Sequence, residues 1–158
     1  MRLRNAVMIG VAVLATACNL FDGPAGQGDL VALAAAKSRW DARPFADYSY
    51  EIRTFCFCPP ELAQWTRVSV REGVVVEVVQ VEPHPDFPIT INAWQPMDSL
   101  FTRLFRAMSE SGFGSHYAEI DVEYDGELGY PRSMAFQTKP NISDGGSSTE
   151  VRSVVPLN

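Results

Sequence analysis

The chain has 158 residues, 46% of them hydrophobic and 20% charged, with 19 acidic against 13 basic side chains and a formal charge of −6. That length suits one domain with a substantial core. The acidic balance argues against nucleic acid or an anionic lipid surface as partner, because both are held by a basic patch.

Arg2 and Arg4 open the chain, residues 6–14 form an apolar run, and Ala15-Thr16-Ala17 lead into Cys18. This pattern predicts an export leader over residues 1–17, of the lipoprotein type, with lipid attached to Cys18. The run is too short to cross a bilayer as a helix, which takes about 20 residues. Ala15-Thr16-Ala17 also fits an ordinary secretory cleavage site; a cysteine immediately after it favours the lipid-anchored reading. Loss of the leader would deepen the net charge from −6 to −8. Asn19, rather than Asp, follows the cysteine, which favours the outer membrane if the cell has one. Residues 18–28 then read as the lipidated cysteine and a flexible tether, with Gly23, Pro24, Gly26 and Gly28. Residues 29–158 are expected to form the folded domain.

Within that domain, Leu30, Val31, Leu33, Ala34 and Trp40 predict a helix over residues 29–41, with Asp29 as its N-cap and Pro44 beyond its end. Tyr48, Tyr50, Ile52, Thr54, Cys56 and Cys58 alternate with Asp47, Ser49, Glu51 and Arg53, the period of a half-buried strand, stopped by Pro59-Pro60. Residues 66–71 and 74–81 flank Glu72-Gly73 as a hairpin. A Pro-rich loop follows over residues 82–96. Met97, Leu100, Phe101, Leu104, Phe105 and Met108 share one helical face, and Gly112 is expected to close that helix. Ala118, Ile120, Val122 and Tyr124 alternate with Glu119, Asp121, Glu123 and Asp125. Asp125-Gly126 opens a turn through Gly129-Tyr130-Pro131 into a strand over residues 132–138. A polar, Gly-rich loop over 141–148 precedes a last strand near 150–155.

The order is α-β-β-β-α-β-β-β. Short connections imply an antiparallel sheet of five to six strands, and two amphipathic helices need one shared sheet face. The fold class is therefore α+β, in one domain. The opposite sheet face, with Arg67, Ser69, Arg71, Glu119, Asp121 and Glu123, is expected to be solvated, with opposite charges pairing between neighbouring strands.

Cys56-Phe57-Cys58 is the one local cluster that demands a chemical account. Two residues apart on a strand, the cysteines share a face at Cα separations of about 6.5 to 7 Å, so closing a disulfide requires the chain to bend. The favoured reading is a local disulfide or a buried thiol pair that fixes the strand end in an oxidising compartment. A redox-active pair is the second reading, although such pairs are more familiar as Cys-x-x-Cys at a helix start. A copper or zinc site is the third; it would need further donors, and only His84 and His116 offer imidazoles. Asp121 to Gly126 imitate the first half of a calcium loop, yet Arg132 stands where the bidentate Glu belongs. The histidines lack a nucleophile motif, no catalytic residue is assigned, and Asp121 and Glu123 share a strand face without further acid–base geometry. Asn141-Ile142-Ser143 fits a glycosylation sequon. Phe55 and Phe57 should point away from the cysteine face; partial coverage by a loop is the favoured reading, and an exposed patch for a partner is the alternative.

Taken together, Ser38-Arg39-Trp40, Asp47-Tyr48-Ser49-Tyr50, Cys56-Phe57-Cys58-Pro59-Pro60, Val68-Ser69-Val70 with Gly73, Ser99-Leu100-Phe101, Asp121-Val122-Glu123-Tyr124 and Gly129-Tyr130-Pro131 resemble domain-of-unknown-function family 6174, a group of small bacterial lipoproteins. The resemblance spans residues 34–136. It implies an exported, usually lipid-anchored, cysteine-paired domain and no established activity. The expected function is a non-catalytic, membrane-tethered binding or structural module of the cell envelope that meets an envelope protein partner. It needs no cofactor. The alternative is a thiol-disulfide or metal-handling protein built on Cys56 and Cys58.

Overall fold

The computed structural model describes residues 27–83, 86, 93–110, 116–142 and 145–158. The expected leader, Cys18, most of the tether, His84 and Gly112 lie outside these residues. The described elements are helix α1 (Gln27–Asp41), strands β1 (Tyr48–Cys56), β2 (Thr66–Arg71) and β3 (Val74–Gln80), helix α2 (Met97–Ser109), and strands β4 (Tyr117–Tyr124), β5 (Pro131–Thr138) and β6 (Ser147–Pro156). A 3-10 turn, Pro60–Ala63, follows the Cys-x-Cys segment. The α+β class and the order of elements are as expected. Asp29 sits in the first turn of α1, which starts two residues earlier than predicted, so it supports the positive helix end rather than capping it.

All strand pairings are antiparallel, in the order β3-β2-β1-β6-β5-β4. The first and last strands are therefore the central pair. Between β2 and β3, Glu72 and Gly73 take φ of 50° and 75°, the two positive values that a tight hairpin turn of matching twist requires. On β6, Ser153 takes φ of 56° where the register against β1 shifts between Ser49 and Glu51, a bulge in the central pair.

One sheet face carries Tyr48, Tyr50, Ile52, Val68, Val70, Met134, Phe136 and Val151 against Leu33, Ala36 and Trp40 of α1 and Met97, Leu100, Phe101 and Leu104 of α2, in a single core. Trp40 is fully buried and meets Tyr48 edge-on, ring centres 5.0 Å apart. Its indole N–H donates to Asp98 at 3.4 Å. The Tyr48-Ser49-Tyr50 spacing has a specific purpose. Helix α2 begins after Pro96 without a side-chain cap. The backbone N–H of Met97 donates instead to the Tyr48 hydroxyl at 3.0 Å, and the Tyr50 hydroxyl donates to the Gln95 carbonyl. Two tyrosines at period two on one strand thus seat the start of α2 and satisfy one of its free donors.

The Gly129-Tyr130-Pro131 turn packs directly on the middle of α1. Gly129 takes φ of 80° and approaches the helix so closely that a Cβ there would collide with the Ala36 carbonyl and stand 2.9 Å from Arg39 Cβ. Asp125 shapes this turn. Its carboxylate accepts from the N–H groups of Glu127 and Leu128 at 3.0 and 2.7 Å, which is the local task of the residue that imitates a calcium loop.

On the open sheet face opposite charges do pair between neighbouring strands, with Glu51 and Glu150 rather than the acidic residues of β4 as the partners. Glu51, in the centre, accepts from Arg67 at 2.8 Å and Arg152 at 2.9 Å, and Arg53 pairs with Glu150 at 2.7 Å. Trp65 lies under the guanidinium groups of Arg152 and Arg53, at 3.9 and 4.6 Å. Glu119, Asp121 and Glu123 stand on edge strand β4, separated from Arg67 and Arg71 on β2 by three strands. Burial acts to raise the Glu51 carboxyl, but the two arginine hydrogen bonds outweigh it and hold the group below its ordinary value.

Candidate functional site

The Cys-Phe-Cys segment ends β1 beside the start of β6, with Cys56 opposite Ser147. The two sulfurs are bonded, and the Cα atoms are 5.1 Å apart. That is shorter than a regular strand allows, so the chain bends here, as the spacing demanded. The bend changes where the phenylalanines go. Phe55 remains on the open face with Arg53 4.9 Å from its ring. Phe57 is turned by the disulfide toward the helix side and is 87% exposed, so the expected covering loop does not cover it.

A cleft of about 370 Å³ opens at this end of the sheet, between β1, β6 and α2. Its floor is Tyr50, Ile52, Thr54 and Thr149; its walls are Leu62, Trp94, Leu100 and Arg103; Cys56, Phe57 and Gly145-Gly146-Ser147 form the rim. Thr54 and Thr149 share a hydrogen bond of 3.0 Å across the central strand pair. Arg103 reaches over from α2, its guanidinium 4.6 Å from the Phe136 ring and 3.3 Å from Ser147 Oγ. Trp94 is buried, and its indole N–H has no acceptor among the described residues. Burial pushes the Tyr50 hydroxyl far above its ordinary range. Tyr48 is pushed up to about 12, chiefly by burial, against the opposing pull of the Met97 N–H. These hydroxyls stay protonated at neutral pH and act as fixed hydrogen-bonding groups. The described lining thus offers a cation, hydroxyls, apolar walls and a disulfide.

The sequence-predicted residues fall in different places. Cys56 and Cys58 are joined, and Cys56 lines the cleft. His116 is exposed just before β4, where its carbonyl accepts from the Lys139 N–H. His84 and Cys18 are outside the described residues. Among the described residues no group of three or more His, Cys, Asp or Glu side chains is placed to hold a metal ion. Asp121 and Glu123 lie on the open face opposite Ala135 and Ser133. Arg103, Trp94 and Thr149 were not singled out in the sequence, and Gly145-Gly146 reads there only as part of a polar loop without the strand-to-helix context of a phosphate cradle. Arg103 reads there as one more charge on the polar side of an amphipathic helix, and only the packing of α2 across the sheet end brings it to Ser147.

A second hollow of about 330 Å³ runs between the helices, lined by Leu30, Leu33, Ala34, Lys37, Phe101, Thr102 and Phe105. It is almost wholly apolar.

The fold and cleft define a small α+β domain in which two helices cover one face of an antiparallel sheet and a disulfide borders a cleft at one sheet end. The chain belongs to the Family of unknown function (DUF6174), whose model matches residues 32–156. No match was found among curated proteins or among solved structures. The matched segment begins within α1 and includes the Tyr-Ser-Tyr, Cys-x-Cys and Gly-Tyr-Pro elements whose structural tasks are given above.

Proposed function

We propose that this protein is an exported domain, lipid-anchored through Cys18 to the cell envelope, that works as a non-catalytic binding module and takes its ligand or partner in the cleft beside Cys56–Cys58. The cleft carries this reading. It combines apolar walls with a few convergent polar groups, the usual make-up of a ligand site, and its volume falls in the usual range of about 300–1,000 Å³. The leader pattern and Cys18 support the address. A bridge at the rim would fix the local backbone and so preorganise the site.

One preparation tests both halves. Protein extracted from native envelopes, with free thiols alkylated at harvest, is mapped by non-reducing mass spectrometry and then screened with small-molecule fragments by NMR. An acylated Cys18 peptide, a linked Cys56–Cys58 peptide and fragment shifts centred on Thr54, Leu62 and Arg103 are expected. An unmodified Cys18 refutes the anchor, and fragments that shift no cleft residue refute the binding role.

The second reading, thiol-disulfide or copper and zinc handling by Cys56 and Cys58, draws on the exposure of Cys56 at the cleft rim. Stoichiometric metal in the purified protein, or a reduction potential well above about −300 mV, would favour it. A bridge that resists mild reductant would exclude it.

A further inference from the structure

The geometry points to a specific ligand class for the cleft: a small organic acid with an apolar body, its carboxylate held by Arg103. The inference rests on the cleft being a binding site, as proposed above. Arg103 is the one charged side chain among the described residues lining the cleft, in a chain where acidic side chains outnumber basic ones 19 to 13. Arg53, Arg67 and Arg152 on the open face each have a carboxylate partner. Arg103 pairs with none among the described residues. It is held by the Phe136 ring at 4.6 Å and by one hydrogen bond, to Ser147 Oγ at 3.3 Å.

A guanidinium has five N–H donors in a planar fork that matches the two oxygens of a carboxylate. Stacking on Phe136 orients that plane without neutralising its charge. Ser147 Oγ adds a hydroxyl beside it. Away from Arg103 the described lining carries no second charge and sets Ile52, Leu62 and Leu100 beside the Thr54 and Thr149 hydroxyls, which bond to each other, so it suits a hydrocarbon body and rejects a second charge. The volume of about 370 Å³ lies at the small end for ligand sites, so the class is a short acyl or aryl acid rather than a long chain. Such a carboxylate could come from a free acyl acid or from the end of an apolar peptide, and the two sources separate experimentally.

The test titrates the full mature protein with octanoate, with octan-1-ol as its uncharged match, and with N-acetyl-leucine and its amide as the peptide-end pair, following cleft resonances by NMR. The acid of at least one pair should bind about tenfold more tightly than its neutral match, the factor expected of one charge-assisted hydrogen-bonded contact. Arg103→Gln should remove that preference and leave the neutral compound unchanged. Arg103→Lys, which keeps the charge but loses the fork, should recover only part of it. Preference for octanoate assigns an acyl acid and preference for N-acetyl-leucine a peptide end. Equal binding of acid and neutral match, or a preference that survives Arg103→Gln, overturns the inference while leaving the cleft a binding site. Binding of none of the four at the cleft overturns both.

Discussion

Gly129 offers the sharpest test of how the sheet is fixed to the first helix. Replacing it with alanine has two separable costs. The first is conformational: at φ of 80° an L-residue loses about 1 kcal/mol relative to glycine. The second is steric, because the new methyl would meet the Ala36 carbonyl and Arg39 Cβ on α1, and the first of these is backbone that cannot swing aside. Overpacking of this kind costs about 1–3 kcal/mol. Gly129→Ala should therefore lose about 2–4 kcal/mol, a drop in Tm on the order of 10 °C for a domain of this size. Gly73 supplies the internal control, since it has nearly the same φ, 75°, but nothing within 4 Å of an added Cβ. Gly73→Ala should lose only the conformational part, about 1 kcal/mol. Urea melts of the two variants and the parent, with m-values checked for constancy, measure the difference. If the two variants lose the same amount within about 0.5 kcal/mol, the close approach of the Gly-Tyr-Pro turn to α1 is not a structural constraint and the reasoning fails.

Glu51 has a folded-state pKa below its ordinary 4.5, so its stabilising effect is complete above that value and is lost as pH falls through the folded pKa. Glu51→Gln should flatten the acid limb of stability against pH and lower stability at pH 7 by about 1.5–3 kcal/mol; an unchanged acid limb in urea melts from pH 3 to 7 would refute the arginine pairing. Tyr48 and Tyr124 are both pushed up to about 12, mainly by burial, so folded protein should show fewer tyrosinates at pH 11 than urea-unfolded protein in an ultraviolet titration. Their contribution to stability is full below about pH 10 and lost as pH rises through the folded values; coincident titration curves would contradict their burial. Replacing both Cys56 and Cys58 with serine removes a bridge that spans one intervening residue, for which loop entropy predicts only about 1.5 kcal/mol. A loss above about 4 kcal/mol in urea would mean that the bridge holds more than the strand end.

Periodicity made most of the fold legible. The strand over 66–71 and the turn at Glu72-Gly73 occur where alternation and turn chemistry place them, and the helix stripe from Met97 to Met108 is the buried face of α2 except for Phe105, which is 60% exposed at the hollow between the helices. The last strand is longer than its apolar residues suggest. Ser147, Ser148 and Thr149 carry no hydrophobic signal, but pairing with β1 and β5 draws them into the sheet. Strand order was not readable at all. It depends on β6 returning to pair with β1, a choice among edges that no local pattern encodes, and it explains why the acidic residues of β4 do not neighbour the arginines of β2. The site was legible only at Cys56 and Cys58. The polar residues that complete the cleft come from α2 and β6, and their meeting is a product of packing rather than of spacing.

The central position of β6 has a consequence for the order of events in the making of the molecule. The hairpin β2-β3 and the pair β4-β5 lie on opposite sides of β1 and β6, and neither half of the sheet reaches the other without the strand synthesised last. Long-range closure of this kind must pay its loop entropy before it is rewarded. During synthesis the chain therefore remains without a continuous sheet until residues 147–156 have been added.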